Sequence, residues 1–116
     1  MDPNAGLDLP FELTVDHRAQ DVVMTLRGEL DLAAKEHYEQ GLEKIEDDGL
    51  ERLIVDLRAL TFIDSTGINL LLRTLRDSEE HGFALAFVKG NGQVPELLAI
   101  TGVAEQLPYV DETALG

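Results

Sequence analysis

The stretch Leu53-Ile54-Val55-Asp56-Leu57 constrains the fold more than any other part of the chain. A short apolar run rich in branched residues, without regular polar alternation, reads as a strand buried on both faces. Strands of that kind sit inside parallel sheets, and a parallel neighbour is reached through a crossover, normally a helix. The following residues supply one. Ile68, Leu71, Leu72 and Leu75 recur at i, i+3, i+4 and i+7, with Asp64 and Ser65 before them and His81-Gly82 after them, which are helix start and stop signals. Phe83-Ala84-Leu85-Ala86-Phe87-Val88 then reads as another buried strand.

The segments on either side extend this unit. Phe11, Leu13 and Val15 alternate with Glu12, Thr14 and Asp16, a period of two that marks a strand with one covered face. A turn is expected through His17-Arg18-Ala19-Gln20 and a second strand over Val22–Leu26, so the pair reads as an antiparallel hairpin. Gly28 is expected to break that second strand, and Asp31 to cap a helix carried by Ala34, Tyr38, Leu42 and Ile45. Gly41 weakens this helix and Gly49 ends it. Beyond a loop at Lys89-Gly90-Asn91-Gly92, the residues Val94, Leu97, Leu98 and Thr101 trace a short helix with Pro95 in its first turn. Leu107, Tyr109 and Val110 make a last short strand or pack as coil. The order implies a single α/β domain, with a mixed sheet of four or five strands and helices packed on it through right-handed crossovers. Residues 1–10, with two prolines and a glycine, read as a loose lead-in. Residues 11–112 read as the domain and 113–116 as a tail.

Composition removes several function classes. The chain has 116 residues, 44% of them hydrophobic, with 9 basic and 23 acidic side chains for a net charge of −14. Such a surface repels nucleic-acid phosphates and anionic lipid heads, so neither direct nucleic-acid binding nor membrane insertion is expected. No apolar run approaches the roughly 20 residues that span a bilayer. The absence of cysteine removes disulfides, thiolate metal sites and cysteine nucleophiles. The first residues lack the basic start and apolar stretch of a signal peptide. A soluble, cytoplasmic domain is the expectation, with no cofactor.

The chemistry concentrates in Thr61-Phe62-Ile63-Asp64-Ser65-Thr66-Gly67, between the buried strand and the strongest helix. One reading is structural: Asp64, Ser65 and Thr66 cap the helix and Gly67 permits close packing. The other is a modification point. A phosphate on a hydroxyl here would meet the free N–H groups and positive dipole end of the helix. It would also place about −1.5 to −2 charge beside Asp64, enough to disrupt a partner surface.

The run Val55-Asp56-Leu57-Arg58-Ala59-Leu60-Thr61-Phe62-Ile63-Asp64-Ser65-Thr66-Gly67-Ile68-Asn69-Leu70-Leu71 resembles the signature of STAS domains, the sulfate-transporter and anti-sigma-factor-antagonist family. Arg27-Gly28-Glu29-Leu30-Asp31-Leu32-Ala33 resembles that family's segment after its second strand, and Thr101-Gly102-Val103 its C-terminal part. The resemblance spans roughly residues 11 to 110. It implies an anti-sigma factor antagonist, a binding protein rather than an enzyme. Its unphosphorylated form would hold an anti-sigma factor with serine kinase activity and so free a sigma factor. Phosphorylation would end the complex, and a serine phosphatase would restore the binder. Carried over by position, Ser65 is the phosphoacceptor and Asp64, Thr66 and Gly67 its setting. Asp31 lies at the same end of the sheet, and Phe62 or Ile63 is an exposed anchor. Thr66 stands where many relatives have a second serine. The resemblance leaves a second reading, a non-switching scaffold or a subunit of a signalling or lipid- or anion-transport complex.

Other classes fit less well. A phosphoryl-accepting receiver would use Asp56 and Lys89, but it begins with a single strand leading to a helix and an acidic pair for magnesium. An acyl carrier would use Asp64-Ser65 but is all-helical. An aspartic protease half needs Asp-Thr-Gly or Asp-Ser-Gly on an all-β frame. A serine hydrolase needs a Gly-x-Ser-x-Gly elbow, which is absent around Ser65. His17, His37 and His81 lack zinc-site spacing and read as solvated or capping residues. Arg73 with Asp77, and Arg76 with Glu80, fit i, i+4 pairs on a solvated helix face.

Overall fold

The computed structural model describes residues 10–115; apart from Pro10, the expected lead-in lies outside the described residues. Strands β1 (Phe11–Arg18) and β2 (Asp21–Leu30) form an antiparallel hairpin. Strands β3 (Arg52–Ile63), β4 (Ala84–Val88) and β5 (Tyr109–Val110) follow in spatial order, each parallel to the one before. Helices α1 (Lys35–Asp47), α2 (Ser65–His81) and α3 (Gln93–Ile100) are the crossovers. The α/β class and the mixed sheet are those the sequence predicts, and Tyr109–Val110 settle the expected four or five strands at five.

One face of the sheet carries the main core. Met24, Leu26, Leu53, Val55, Leu57 and Phe87 meet Tyr38, Leu42 and Ile45 of α1, Leu70 and Leu71 of α2, and Val94 and Leu98 of α3. Each such large apolar side chain, fully buried, stabilises the fold by about 1.5–3 kcal/mol relative to exposure. α1 crosses only one end of β1. The His37 ring stands edge-on to Phe11 at 5.4 Å, and Gly41 faces Leu13. A Cβ at Gly41 would stand 2.9 Å from a Leu13 methyl, so the glycine that lowers helix propensity also lets the strand approach. Val15, further along, is exposed, although its alternation places it on the covered face.

The other face has a smaller cluster, Val23, Ile54 and Val88, with Leu115 and Val110. Residues 113–116 read as a tail in the sequence, yet Glu112–Leu115 form a 3-10 turn that seats Leu115 in this cluster. The Arg18 guanidinium donates to the Leu115 carbonyl, and Arg58 donates to Glu112 at 3.2 Å. Asp56 holds Arg58 in turn, accepting from its Nε at 3.0 Å and its Nη2 at 2.9 Å. Asp56 is therefore a buried structural carboxylate.

Three element ends differ from the sequence reading. β1 runs through His17 and Arg18, leaving Ala19-Gln20 as the turn. β2 continues past Gly28 to Leu30, with Gly28 at φ +91°. β3 continues past Leu57 to Ile63 and twice gains a residue over β2, between Thr25 and Arg27 and between Gly28 and Glu29. Extra residues of this kind bend a strand and re-aim its side chains. Here they turn Leu57, Leu60 and Ile63 toward the main core and deliver the chain to the start of α2.

Candidate functional site

β2 and β3 end side by side, with Leu30 opposite Ile63, and each strand is followed by an aspartate that caps a helical turn. Asp31 caps the 3-10 turn Leu32–Ala34, its Oδ1 accepting from the Ala34 N–H at 3.2 Å. Asp64 caps α2, its Oδ1 accepting from the Gly67 N–H at 3.0 Å. The Asp64 N–H donates to the Leu30 carbonyl at 3.4 Å, which ties the two caps together. The structure thus brings Asp31 and Asp64 to one end of the sheet.

Gly67 is required by packing. A Cβ there would stand 2.2 Å from the Leu30 carbonyl oxygen and 2.6 Å from Ile63 Cγ1. The first turn of α2 is pressed against the ends of both strands, so its position is fixed by backbone. Ser65 is the first residue of this helix and is exposed. Among the described residues, neither its hydroxyl nor that of the half-buried Thr66 has a hydrogen-bond partner. The cap is made by Asp64, so the Ser65 hydroxyl is available for chemistry without loss of the cap.

Apolar side chains flank this turn. Phe62 is 42% exposed, whereas its neighbour Ile63 is buried in the core. Phe62 faces α3 across a groove of about 260 Å³ that includes Leu97 and Ile100. Ile100 is 76% exposed, and Leu32, in the turn capped by Asp31, is 70% exposed. The sequence singles out Phe62 but not Leu32 or Ile100. Leu32 opens a 3-10 turn and Ile100 ends α3, and exposure of such terminal apolar residues carries no signal in periodicity.

The remaining candidates lie apart from this turn. His17 is in β1 rather than in the turn, and His37 packs on Phe11. His81, at the end of α2, has its Nδ1 2.9 Å from Glu46 Oε1. Arg73 pairs with Glu39 across the α1–α2 seam instead of with Asp77. No ion pair between Arg76 and Glu80 is found among the described residues. Among those residues no group of His, Asp or Glu could hold a metal ion, and no helix is long and apolar enough to cross a membrane.

A five-stranded mixed sheet with its helices on one face, and a capped serine turn at the end of β3, defines the STAS class of domains. The sequence matches the STAS domain family over residues 12–115, and the chain belongs to that family. It is 27% identical over 106 residues to the anti-sigma-B factor antagonist of Staphylococcus aureus, covering 91% of this chain and 95% of that protein. Its fold is similar to that of an anti-sigma factor antagonist from Mycobacterium paratuberculosis, with a TM-score of 0.77 at 21% identity over 85% of this chain and 84% of that one. It is also similar to the Bacillus cell fate determinant SpoIIAA solved in its phosphorylated form, with a TM-score of 0.68 at 22% identity over 90% of this chain and 96% of that one.

Proposed function

We propose that this protein is an anti-sigma factor antagonist switched by phosphorylation of Ser65. The unphosphorylated turn, with Asp31, Phe62, Asp64, Ser65, Thr66 and Gly67, binds an anti-sigma factor that is also a serine kinase, and a sigma factor is thereby released. The Ser65 hydroxyl oxygen attacks the γ-phosphorus of ATP on the kinase, the bond to the β,γ-bridging oxygen breaks, ADP leaves and the hydroxyl proton is released. The complex then dissociates, and a serine phosphatase resets the cycle. The role is binding rather than catalysis, in the cytoplasm where sigma factors act. Names of relatives support the antagonist reading.

The observation that carries the switch is the division of labour at the start of α2. Asp64 satisfies the Gly67 N–H while Ser65 stays exposed. A phosphate on Ser65 would therefore leave the cap in place, be stabilised by the helix dipole, and add about −1.5 to −2 charge to a surface bordered by Phe62 and Leu32. Desolvating that charge against an apolar partner surface is unfavourable, so the partner leaves while the domain stays folded.

The test is intact-mass and peptide mass spectrometry after incubation with ATP and anti-sigma kinases from the same genome, with binding followed in parallel. One added phosphate on Ser65, appearing as the complex dissociates, is expected. Ser65→Ala should stay bound in the presence of ATP, and Ser65→Asp should bind poorly. Absence of modification by every active kinase would replace the switch with a non-switching scaffold or complex subunit.

A further inference from the structure

Lys35, Arg73 and Arg76 are three of only nine basic residues in a chain with 23 acidic ones. They line a single groove of about 310 Å³ along the seam between the start of α1 and the first three turns of α2. Thr66 and Asn69 lie in the same groove, and Leu32 forms its apolar rim. Glu39 is its one acidic lining residue and is held by Arg73. Most cations elsewhere are paired internally, Arg18 with Asp16, Arg27 with Glu12, Arg52 with Asp21 and Arg58 with Asp56, while Lys44 has no ion pair among the described residues but does not line the groove. Lys89 stands over the Tyr109 ring at 5.4 Å. Among the described residues, Lys35 and Arg76 have no carboxylate within ion-pair distance. A pair of uncommitted cations beside a 70% exposed leucine is unlike the rest of this acidic surface.

We infer that this groove receives an acidic segment of the protein partner that the Ser65 turn binds, an inference that rests on the function proposed above. Carboxylates of that segment meet Lys35 and Arg76, and an aliphatic side chain covers Leu32. Charge complementarity selects the occupant. A nucleic-acid strand would match the cations but would run on into the surrounding negative field, and its phosphates give Leu32 no apolar contact. A short acidic peptide with a hydrophobic residue satisfies both features.

The groove also gives the switch a second route of action. Thr66, in the groove, is the residue next to Ser65. A phosphate on Ser65 thus brings about −1.5 to −2 charge to the mouth of the groove. There it repels the partner's carboxylates. Dissociation follows from loss of attraction in the groove as well as from the desolvation cost at the turn.

The test uses Lys35→Glu/Arg76→Glu, with Lys35→Gln/Arg76→Gln as a milder form and Arg73 left in place to hold Glu39. All positions changed are exposed, and thermal midpoints check folding. Against the anti-sigma kinase that modifies Ser65, the reversed variant should bind about tenfold more weakly at low salt, with the gap closing as salt rises. Equal affinity would overturn the groove while leaving the Ser65 reading intact, since Ser65→Asp would still lose binding. A kinase-free arm separates the two claims further. A synthetic twelve-residue peptide of glutamate, aspartate and leucine is titrated into isotope-labelled protein. Amide shifts at Leu32, Lys35, Asn69 and Arg76 that vanish in the double variant support the groove whatever happens at Ser65. No shifts there at millimolar peptide, or shifts of equal size with a thymidylate oligonucleotide of matched length, overturn it.

Discussion

Asp64 and Ser65 are neighbours with opposite commitments. The Asp64 carboxylate is engaged by backbone, and the Ser65 hydroxyl by nothing among the described residues. Substitutions should separate the two. Asp64→Ala is expected to cost about 0.5–2 kcal/mol in urea unfolding, the usual loss for an N-cap. Ser65→Ala should change stability by less than about 0.5 kcal/mol, as for an ordinary surface site. Equal losses would mean that Ser65 shares the cap, and the separation of structure from switching would fail. Gly67 is the least replaceable residue of the turn. Gly67→Ala drives a methyl into the Leu30 carbonyl, and the forced shift should lower stability by about 1–3 kcal/mol. An unchanged unfolding midpoint would show that the turn is looser than its geometry.

At the scale of elements, the ends of α1 and α2 away from Ser65 are joined by Glu46 and His81. Burial pushes the Glu46 carboxyl above the usual carboxylate range, and the like charge of Asp77 pushes the same way, while the bond from His81 opposes both. Because the folded-state value is the raised one, folding favours the protonated acid. The associated stability is present below the ordinary carboxylate range and is lost as pH rises through the raised value. Glu46→Gln should therefore gain stability over the parent at about pH 7 and show no gain at about pH 4. Denaturant titrations at the two conditions read the difference, and a loss at neutral pH would put the His81 bond above the burial cost.

The same elements explain what the sequence reveals. α2 is legible because Leu71, Leu72 and Leu75 keep a strict helical spacing between clear start and stop residues. The far half of β3 is not, because two extra residues move its inward positions to Leu57, Leu60 and Ile63, a spacing of three that matches no strand template. Leu115 is hidden for a related reason: one leucine in a polar stretch has no period, and only Arg18 and Arg58 reveal what pins its turn. At the candidate site, the cap and the hydroxyl are local and readable. The exposed rim of Leu32 and Ile100 and the shared groove of Lys35 and Arg76 depend on which elements become neighbours, which local pattern does not record.

The whole molecule carries −14 net charge on a sheet with its helices on one face. Exposed ion pairs such as Arg18–Asp16 contribute only about 0–1 kcal/mol each, too little to offset self-repulsion among 23 acids. The thermal midpoint should therefore rise as salt increases from near zero to about 0.15 M, where the screening length falls to about 8 Å. A falling midpoint would mean that local ion pairs outweigh the global field.

The Ser65 turn is held by the Asp64 cap and by the backbone of Leu30 and Gly67, whereas Leu32, Phe62 and Ile100 are exposed. Under the function proposed above, partner identity and switching are therefore written on different residues. The rim can be rewritten by mutation without disturbing the hydroxyl or the core beneath it. Duplicated copies of such a domain can then keep one switching chemistry while drifting toward different partners. In a cell with several such circuits, insulation against crosstalk becomes a matter of a few exterior side chains.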